Sequence, residues 1–451
     1  MQNWWDGVTA RPGPRYIAIS DAIDDAVRSG RLRGGERLPP QRDLAKALGV
    51  DLTTVTRAYG LAREAGLIQG SGRLGSHVRN STQAPPPDIA ADSGMIMPPQ
   101  PAFALLPDAL RTGLARLLRA GGQSPLLQYQ PTGGNLRDRR EAAAAFTARG
   151  MSTEEPDVIV TAGGQNALHA ILGTIFSPGD TICAGRFTYP GLLALARRFG
   201  LRLHPLAIDA DGVLPDAVEA AARAGARALY VVPTDDNPTT ATLPLARRRA
   251  LADIARRHGL TIVEDDAYGQ LPAAPLPSLA AFAPEWTWHI ASVSKIISPT
   301  LRIAHVRAPS AAAAGRLAAD IHETAVMAPP LNAALVTQWL RDGSFATLIA
   351  AVREEGIARQ RVVARALRGI EHAAHAEGYH HWLRLPQGAD PAAIAAVVRP
   401  AGLSIVPGAT FAIDPASAEP ALRISIGGAI DHDRLARACE RLAAAIRESG
   451  N

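Results

Sequence analysis

Two residue types are almost missing. Cysteine occurs only at Cys183 and Cys439 and lysine only at Lys46 and Lys295, in 451 residues holding 47 Lys and Arg together. Two thiols make no disulfide framework, so a reducing cytoplasm is the expected compartment. No apolar run approaches the roughly 20 residues that span a bilayer, which excludes a membrane-embedded reading. The first residues, Met-Gln-Asn-Trp-Trp-Asp, have neither the basic nor the apolar region of a secretory signal, in keeping with that compartment. In so arginine-rich a chain each lysine needs a chemical reason, because a primary amine condenses with an aldehyde and a guanidinium does not.

What is present is ordinary in bulk and uneven in detail. An apolar share of 47% and a charged share of 20% are those of a globular protein, and the length suggests two or three compact units. Of the net charge of +5, residues 12 to 80 account for most, with 11 Lys and Arg against 7 Asp and Glu. A small basic domain is the footprint of phosphate-backbone binding, although arginine-rich surfaces are also simply solvated. Residues 81 to 100, with Pro85-Pro86-Pro87 and Pro98-Pro99 among small polar residues, read as a linker between a unit at 12–80 and one at 101–451. Beyond it, β-branched runs at 158–160, 228–232 and 260–263 alternate with helical segments, the pattern of an α/β domain on a largely parallel sheet.

In the first unit, Ile19, Ala22, Ile23, Ala26 and Val27 have the spacing of an amphipathic helix resting on a core. The run Gly-Glu-Arg-Leu-Pro-Pro-Gln-Arg-Asp-Leu-Ala at 35–45 predicts a helix that starts after the prolines and stops at Gly49. A third helix over 52–64 buries Val55, Ala58, Tyr59 and Ala62 and turns Thr53, Thr56 and Arg57 outward, short hydroxyls and a guanidinium suited to a major groove. The glycine-rich stretch at 67–78 predicts a β-hairpin wing. These motifs, with Thr-Val-Thr-Arg-Ala-Tyr and Glu-Ala-Gly-Leu-Ile, resemble the GntR-type winged helix-turn-helix. The resemblance implies DNA contacts from Arg42, Thr53, Thr54, Thr56 and Arg57, with Gly72 and Gly75 letting the wing approach the minor groove. Leu52 departs from it, standing where the family often has a polar or basic residue.

In the second unit the signal begins with Lys295, in Ala-Ser-Val-Ser-Lys-Ile-Ile-Ser-Pro-Thr-Leu-Arg at 291–302. Ser292, Ser294 and Arg302 are groups that hold a phosphate, although Ser-x-Ser-Lys alone is as readily a solvated loop. Glu264-Asp-Asp-Ala-Tyr268 follows an apolar strand, at the strand end where α/β folds build ligand sites, and Asp265 is the carboxylate chosen to keep a pyridine nitrogen protonated. Asp236-Asn-Pro-Thr239 offers an amide after another strand. Thr161-Ala-Gly-Gly-Gln-Asn-Ala167 opens a helix whose N-terminus can receive a phosphate. Near the end, residues 421–426 alternate like a strand that carries Arg423.

Together these segments resemble a fold-type I aminotransferase domain that uses pyridoxal 5'-phosphate. The resemblance implies that Lys295 is the catalytic Schiff-base lysine, Asp265 the pyridine-nitrogen partner, Asn237 and Tyr268 the neighbours of the phenolic oxygen, and Tyr189 the ring-stacking aromatic. It further implies that Gly164, Gln165, Ser292, Ser294 and Arg302 cradle the phosphate, that Tyr129 reaches the phosphate of a partner subunit in a homodimer, and that Arg423 grips an effector carboxylate. Two positions depart from it: Thr240 replaces the usual glycine after Asn-Pro-Thr, and Gly164 replaces a phosphate-loop serine.

A GntR-type reader ahead of such a domain resembles the MocR family of transcriptional regulators. The expected fold class is therefore α/β, a winged helix-turn-helix followed by a pyridoxal-phosphate-dependent transferase domain. The expected function is a cytoplasmic regulator that binds double-stranded operator DNA and senses the cofactor or an amino compound, with at most a partial transamination. A working aminotransferase with an appended DNA-binding domain, or a site that holds its cofactor only for stability, remains open at this point.

Overall fold

The computed structural model describes residues 3–8, 13–29, 31–64, 67–70, 75–78, 94–101, 105–119 and 127–449, and it divides into two compact units, 1–91 and 92–451.

The first unit is three helices and a hairpin: α1 (Arg15–Arg28), α2 (Gln41–Leu48), α3 (Leu52–Glu64), β1 (Ile68–Gly70) and β2 (Ser76–Val78). Pro40 precedes the first turn of α2, and Gly49 ends it in the left-handed region at φ 62°, a conformation glycine adopts without a Cβ penalty. Asp51 starts α3 by accepting from the Thr53 backbone N–H at 2.8 Å. Ile19, Ile23, Leu44, Val55, Tyr59, Ile68 and Val78 share one apolar core, which fixes the outer face of α3. The Tyr59 hydroxyl, inside that core, donates to the Pro39 carbonyl at 2.8 Å. The antiparallel β1–β2 pair is the expected wing; Gly72 lies outside the described residues.

In the second unit the chain runs through β3 (Val158–Thr161), β4 (Thr181–Gly185), β5 (Arg202–Leu206), a short ribbon of β6 (Ile208–Asp209) and β7 (Gly212–Val213), then β8 (Ala228–Val231), β9 (Thr261–Asp266), β10 (Thr287–Ser292) and β11 (Ala304–Arg307). Seven of these form one sheet in the order β3-β11-β10-β9-β8-β4-β5. It is parallel from β10 to β5, with β11 running against both its neighbours. The central strands β8 and β10 are buried along their whole length, as a helix-covered sheet requires, and β8 reads as a continuous apolar run. A second, antiparallel sheet contains β12 (His372–Ala374), β13 (His380–Arg384), β14 (Ser404–Pro407) and β15 (Ala421–Ser425), in the order β12-β13-β15-β14.

Two differences from the sequence reading bear on the site. Glu264, Asp265 and Asp266 do not follow a strand; they are its last residues, because the β9–β10 ladder continues to the Asp266–Ala291 pair. Residues 94–100, read as the end of the linker, pack on the second unit: Ile96 is buried in its largest core, and Pro99 bridges to Gly428.

After β8 the chain turns through Asp235 at φ 49°, a cis Asn237–Pro238 peptide and Thr240 at φ 63°. A β-branched residue in the left-handed region is strained by roughly 1–2 kcal/mol, which is the physical reason for a glycine at this position in the resembled family. Replacing Thr240→Gly is expected to stabilise the second unit by about 1 kcal/mol, raising Tm by roughly 2 °C in calorimetry; an unchanged or lower Tm would show that the Thr240 side chain offsets its backbone cost.

Candidate functional site

Strand alternation sorts the three carboxylates at the end of β9. Successive side chains point to opposite faces, so Glu264 and Asp266 share one side and Asp265 takes the other. Behind the sheet the charges are compensated: Glu264 accepts from the backbone N–H groups of Leu279 at 2.7 Å and Ala280 at 3.1 Å and lies 2.9 Å from His289 Nδ1. Asp266 accepts from Arg149 Nη2 at 2.6 Å. On the other side Asp265 accepts from the Tyr230 hydroxyl at 2.8 Å. Burial pushes the Asp265 carboxyl up to about 6, with the Tyr230 hydrogen bond pulling it down and Asp266 pushing it up. It is therefore an anion at neutral pH.

Lys295 sits in the turn after β10. Its Nζ donates to the Ile96 carbonyl at 2.6 Å, and the Tyr379 hydroxyl donates to its backbone carbonyl, holding the turn from the second sheet's side. Burial and then the Arg423 guanidinium bring the amine down to about 8, against the attraction of Asp265. A substantial neutral fraction near pH 8 makes Lys295 nucleophilic. Arg423, on β15, is fully buried with its guanidinium 5.3 Å over the Phe411 ring, and its Nη2 donates to the Gly94 carbonyl.

The N-terminus of the helix Gly164–Ile175 is a glycine turn set against Arg302 and Ser292. Gly163 stands at φ 90°, and a Cβ there would lie 2.9 Å from Arg302 Nη2, so a bare glycine is what lets Arg302 lie against this turn and donate to the Ala162 carbonyl at 3.0 Å. A Cβ at Gly164 would come 3.4 Å from that of Ser292. The Ser294 hydroxyl, Gln165 Oε1 and Asn237 Oδ1 are buried with no hydrogen-bond partner among the described residues. Tyr189, just before the next helix, has its phenol pushed up to about 12 by burial and then by Asp265, with Arg302 opposing. Tyr268 is buried beside Tyr379 and His380, at ring-centroid distances of 6.1 and 5.6 Å.

Ten of the sequence-derived cofactor residues thus lie around the strand ends, and Arg423 joins them from the second sheet. Tyr129 does not: it is 82% exposed. Sequence reasoning missed Tyr230, Tyr379 and the 94–97 segment. It also missed Asp236, whose burial brings its carboxyl up to about 7 although the Thr239 hydroxyl donates to it at 2.6 Å. Tyr230 was visible inside a strand, and its facing of Asp265 follows from the β8–β9 register.

In the first unit Arg42, Thr53, Thr56 and Arg57 are exposed and Thr54 is half-buried. Three of these side chains are already engaged. The Thr53 hydroxyl donates to Asp51 at 2.5 Å, the Thr56 hydroxyl donates to Gln41 Oε1 at 2.8 Å and ties α3 to α2, and the Arg57 guanidinium stacks 3.8 Å over the Tyr16 ring. Arg42 carries no such tie among the described residues and is exposed. Beside the wing, Arg37, Gln41, Arg63, Gly70, Gly75 and Ser76 help line a cleft of about 450 Å³, and a Cβ at Gly75 would lie 3.3 Å from Arg37 Nε. Gly75 thus leaves room for an arginine that the sequence reading did not single out.

Comparison with known proteins agrees with both geometries. The model of the family described as aminotransferase class I and II matches residues 100–442. The chain belongs to that family. The model for bacterial regulatory proteins of the gntR family matches residues 15–78, so the chain has the two-part organisation of MocR-type regulators. The uncharacterized HTH-type transcriptional regulator YdeF of Bacillus subtilis is 28% identical over 94% of this chain and 92% of its own length. The vitamin B6 salvage pathway transcriptional repressor PtsJ of Salmonella typhimurium is 29% identical over 84% and 86%. The solved structure of LysN, the alpha-aminoadipate aminotransferase of Thermus thermophilus with N-(5'-phosphopyridoxyl)-L-leucine, superposes with a TM-score of 0.70 at 27% identity, covering 79% of this chain and 93% of that one.

The family's cofactor is pyridoxal 5'-phosphate, and the residues present fit it: a buried amine beside a buried carboxylate, orphaned amide and hydroxyl oxygens, and a glycine turn that a side chain would fill. When bound, that cofactor supplies an aldehyde that condenses with amines and a ring that withdraws electrons.

Removing the Tyr230 hydroxyl takes away the contact that lowers the Asp265 carboxyl. In Tyr230→Phe the Asp265 carboxyl of the cofactor-free protein is expected to titrate above about 6, read by infrared pH titration of the carboxyl band; an unmoved midpoint would mean that Tyr230 does not tune Asp265. Arg42→Ala is expected to weaken operator binding and lower its log–log salt slope by about one, measured by fluorescence anisotropy across a salt series; an unchanged slope would remove Arg42 from the DNA face.

Proposed function

We propose that this chain is a DNA-binding transcriptional regulator whose aminotransferase-type domain holds pyridoxal 5'-phosphate and senses the cofactor or an amino compound. The observation that carries the reading is the buried Lys295 amine with Asp265 and Arg423 near enough for both charges to act on it, in a chain that also bears a winged helix. Lys295 would hold the cofactor's aldehyde carbon and Asp265 its ring nitrogen. Asn237 and Tyr268 would flank its phenolic oxygen, Tyr189 would stack on its ring, and Gly164, Gln165, Ser292, Ser294 and Arg302 would hold its phosphate.

Arg423 would grip the carboxylate of an amino compound, for which a planar guanidinium offers two parallel N–H donors. An amine that takes the place of Lys295 Nζ frees that amine inside the pocket. If the two pocket states differ in affinity for operator, the operator must in turn change the pocket's affinity for the amine by the same factor. On the DNA side, Arg42, Thr53, Thr54, Thr56 and Arg57 with the wing at Gly72 and Gly75 form the proposed reading surface.

The reading includes a homodimer. Tyr129 is 82% exposed and Leu127 62% exposed, which suits a tyrosine that serves a second copy rather than its own pocket. No helix among the described residues is long and apolar enough to cross a membrane, and access to operator DNA places the regulator in the cytoplasm. The rival reading, a working aminotransferase, is supported by the completeness of the same residue set.

The two readings separate when amino compounds are titrated into the cofactor-loaded protein while the visible spectrum and operator affinity are followed together. A spectral shift that moves with DNA affinity is the expected result. Turnover of about 1 s⁻¹ or faster with an amino acid and a 2-oxo acid, with DNA affinity unmoved, would favour the enzyme.

A further inference from the structure

Residues 94–97 make the most unusual contacts in the pocket. Gly94 takes φ 65°, and a Cβ there would lie 3.1 Å from Val406 Cγ2 on β14. A side chain at Gly427 would collide with the Met97 carbonyl, and the Gly428 N–H donates to the Pro98 carbonyl at 3.1 Å. Two glycines at 427–428 therefore seat this segment against the end of β15, and Ile96 anchors it in the core. Seated so, it delivers two backbone carbonyls to the two cationic groups of the site: Ile96 to Lys295 Nζ at 2.6 Å, and Gly94 to Arg423 Nη2.

We propose that residues 94–97 are an internal strap holding Arg423 and Lys295, and that a carboxylate-bearing amino compound binds by displacing the Gly94 carbonyl from Arg423, whereas the cofactor, by engaging the Lys295 amine, displaces the Ile96 carbonyl. The inference rests on the sensing reading above and names its moving part. A neutral carbonyl offers the guanidinium a single lone-pair contact, whereas a carboxylate offers a charged bidentate partner, so the ligand outcompetes the strap where both fit. Gly94 and Ile96 are only two residues apart, so release of one end loosens the other. In sequence the strap directly follows the connector at 81–93 that leads from the DNA reader. A ligand seated on Arg423 therefore acts on the chain that tethers the reader.

The test uses the full-length protein and two stable probes that differ only in what they ask of the strap. Pyridoxamine 5'-phosphate fills the cofactor position without a carboxylate, and N-(5'-phosphopyridoxyl)-L-alanine adds one. Hydrogen exchange measured by mass spectrometry on peptides covering residues 94–101 is expected to quicken about tenfold with the carboxylated probe and to stay near its starting rate with the other, as local opening of the released segment exposes its amides. Equal exchange with the two probes, or failure of the carboxylated probe to bind, would overturn the strap. Operator affinity measured on the same samples keeps the two ideas apart. Affinity that responds to the carboxylated probe while the strap stays protected sinks the strap and leaves sensing intact; a released strap with operator affinity unmoved upholds the displacement and sinks the sensing reading.

Discussion

The pocket depends on keeping an amine and a carboxylate buried together without letting either lose its function. Taking Lys295 out of water favours its neutral form, and taking Asp265 out of water favours its acid form. Left alone, burial would push both toward neutrality. The surroundings limit the drift: the Tyr230 hydroxyl and the nearby Lys295 favour the Asp265 anion, and Asp265 in turn favours the charged amine, while Arg423 and Arg302 push the amine further toward its neutral form. The result is a carboxylate at neutral pH beside an amine poised near 8.

That balance explains the architecture behind the sheet. Three consecutive acidic residues at one strand end would repel each other if all faced the pocket. Alternation sends Glu264 and Asp266 to the back, where backbone N–H groups, His289 and Arg149 absorb their charge. Arg302, in the turn before β11, and Arg423, on β15 of the second sheet, both act on the Lys295 amine. A ligand with a phosphate at one end and a carboxylate at the other suits two arginines held by separate elements.

Much of this was legible in the sequence, for physical reasons. Gly49 had to end α2 because the left-handed cap favours glycine. Asp265 could be preferred over its neighbours, and Lys295 stood out through the rarity of its type. What was not legible depends on contacts distant in the chain. Thr56 and Arg57 look like free groove-facing groups until Gln41 and Tyr16 are brought to them. Asp266 looks like a second pocket carboxylate until Arg149 reaches it. The strap is the clearest case: proline-flanked residues without periodicity read as linker, and only the placement of Gly427 and Gly428 shows where Ile96 and Gly94 must go.

The central claim is that chemistry at one amine governs DNA binding. The most direct measurement is the operator dissociation constant, at fixed salt, of wild-type and Lys295→Ala proteins with and without pyridoxal 5'-phosphate and an amino acid panel. The account predicts that Lys295→Ala still binds operator but with an affinity insensitive to these additions, because its pocket has no amine to hold or release. A Lys295→Ala protein whose operator affinity responds as the wild type does would contradict it.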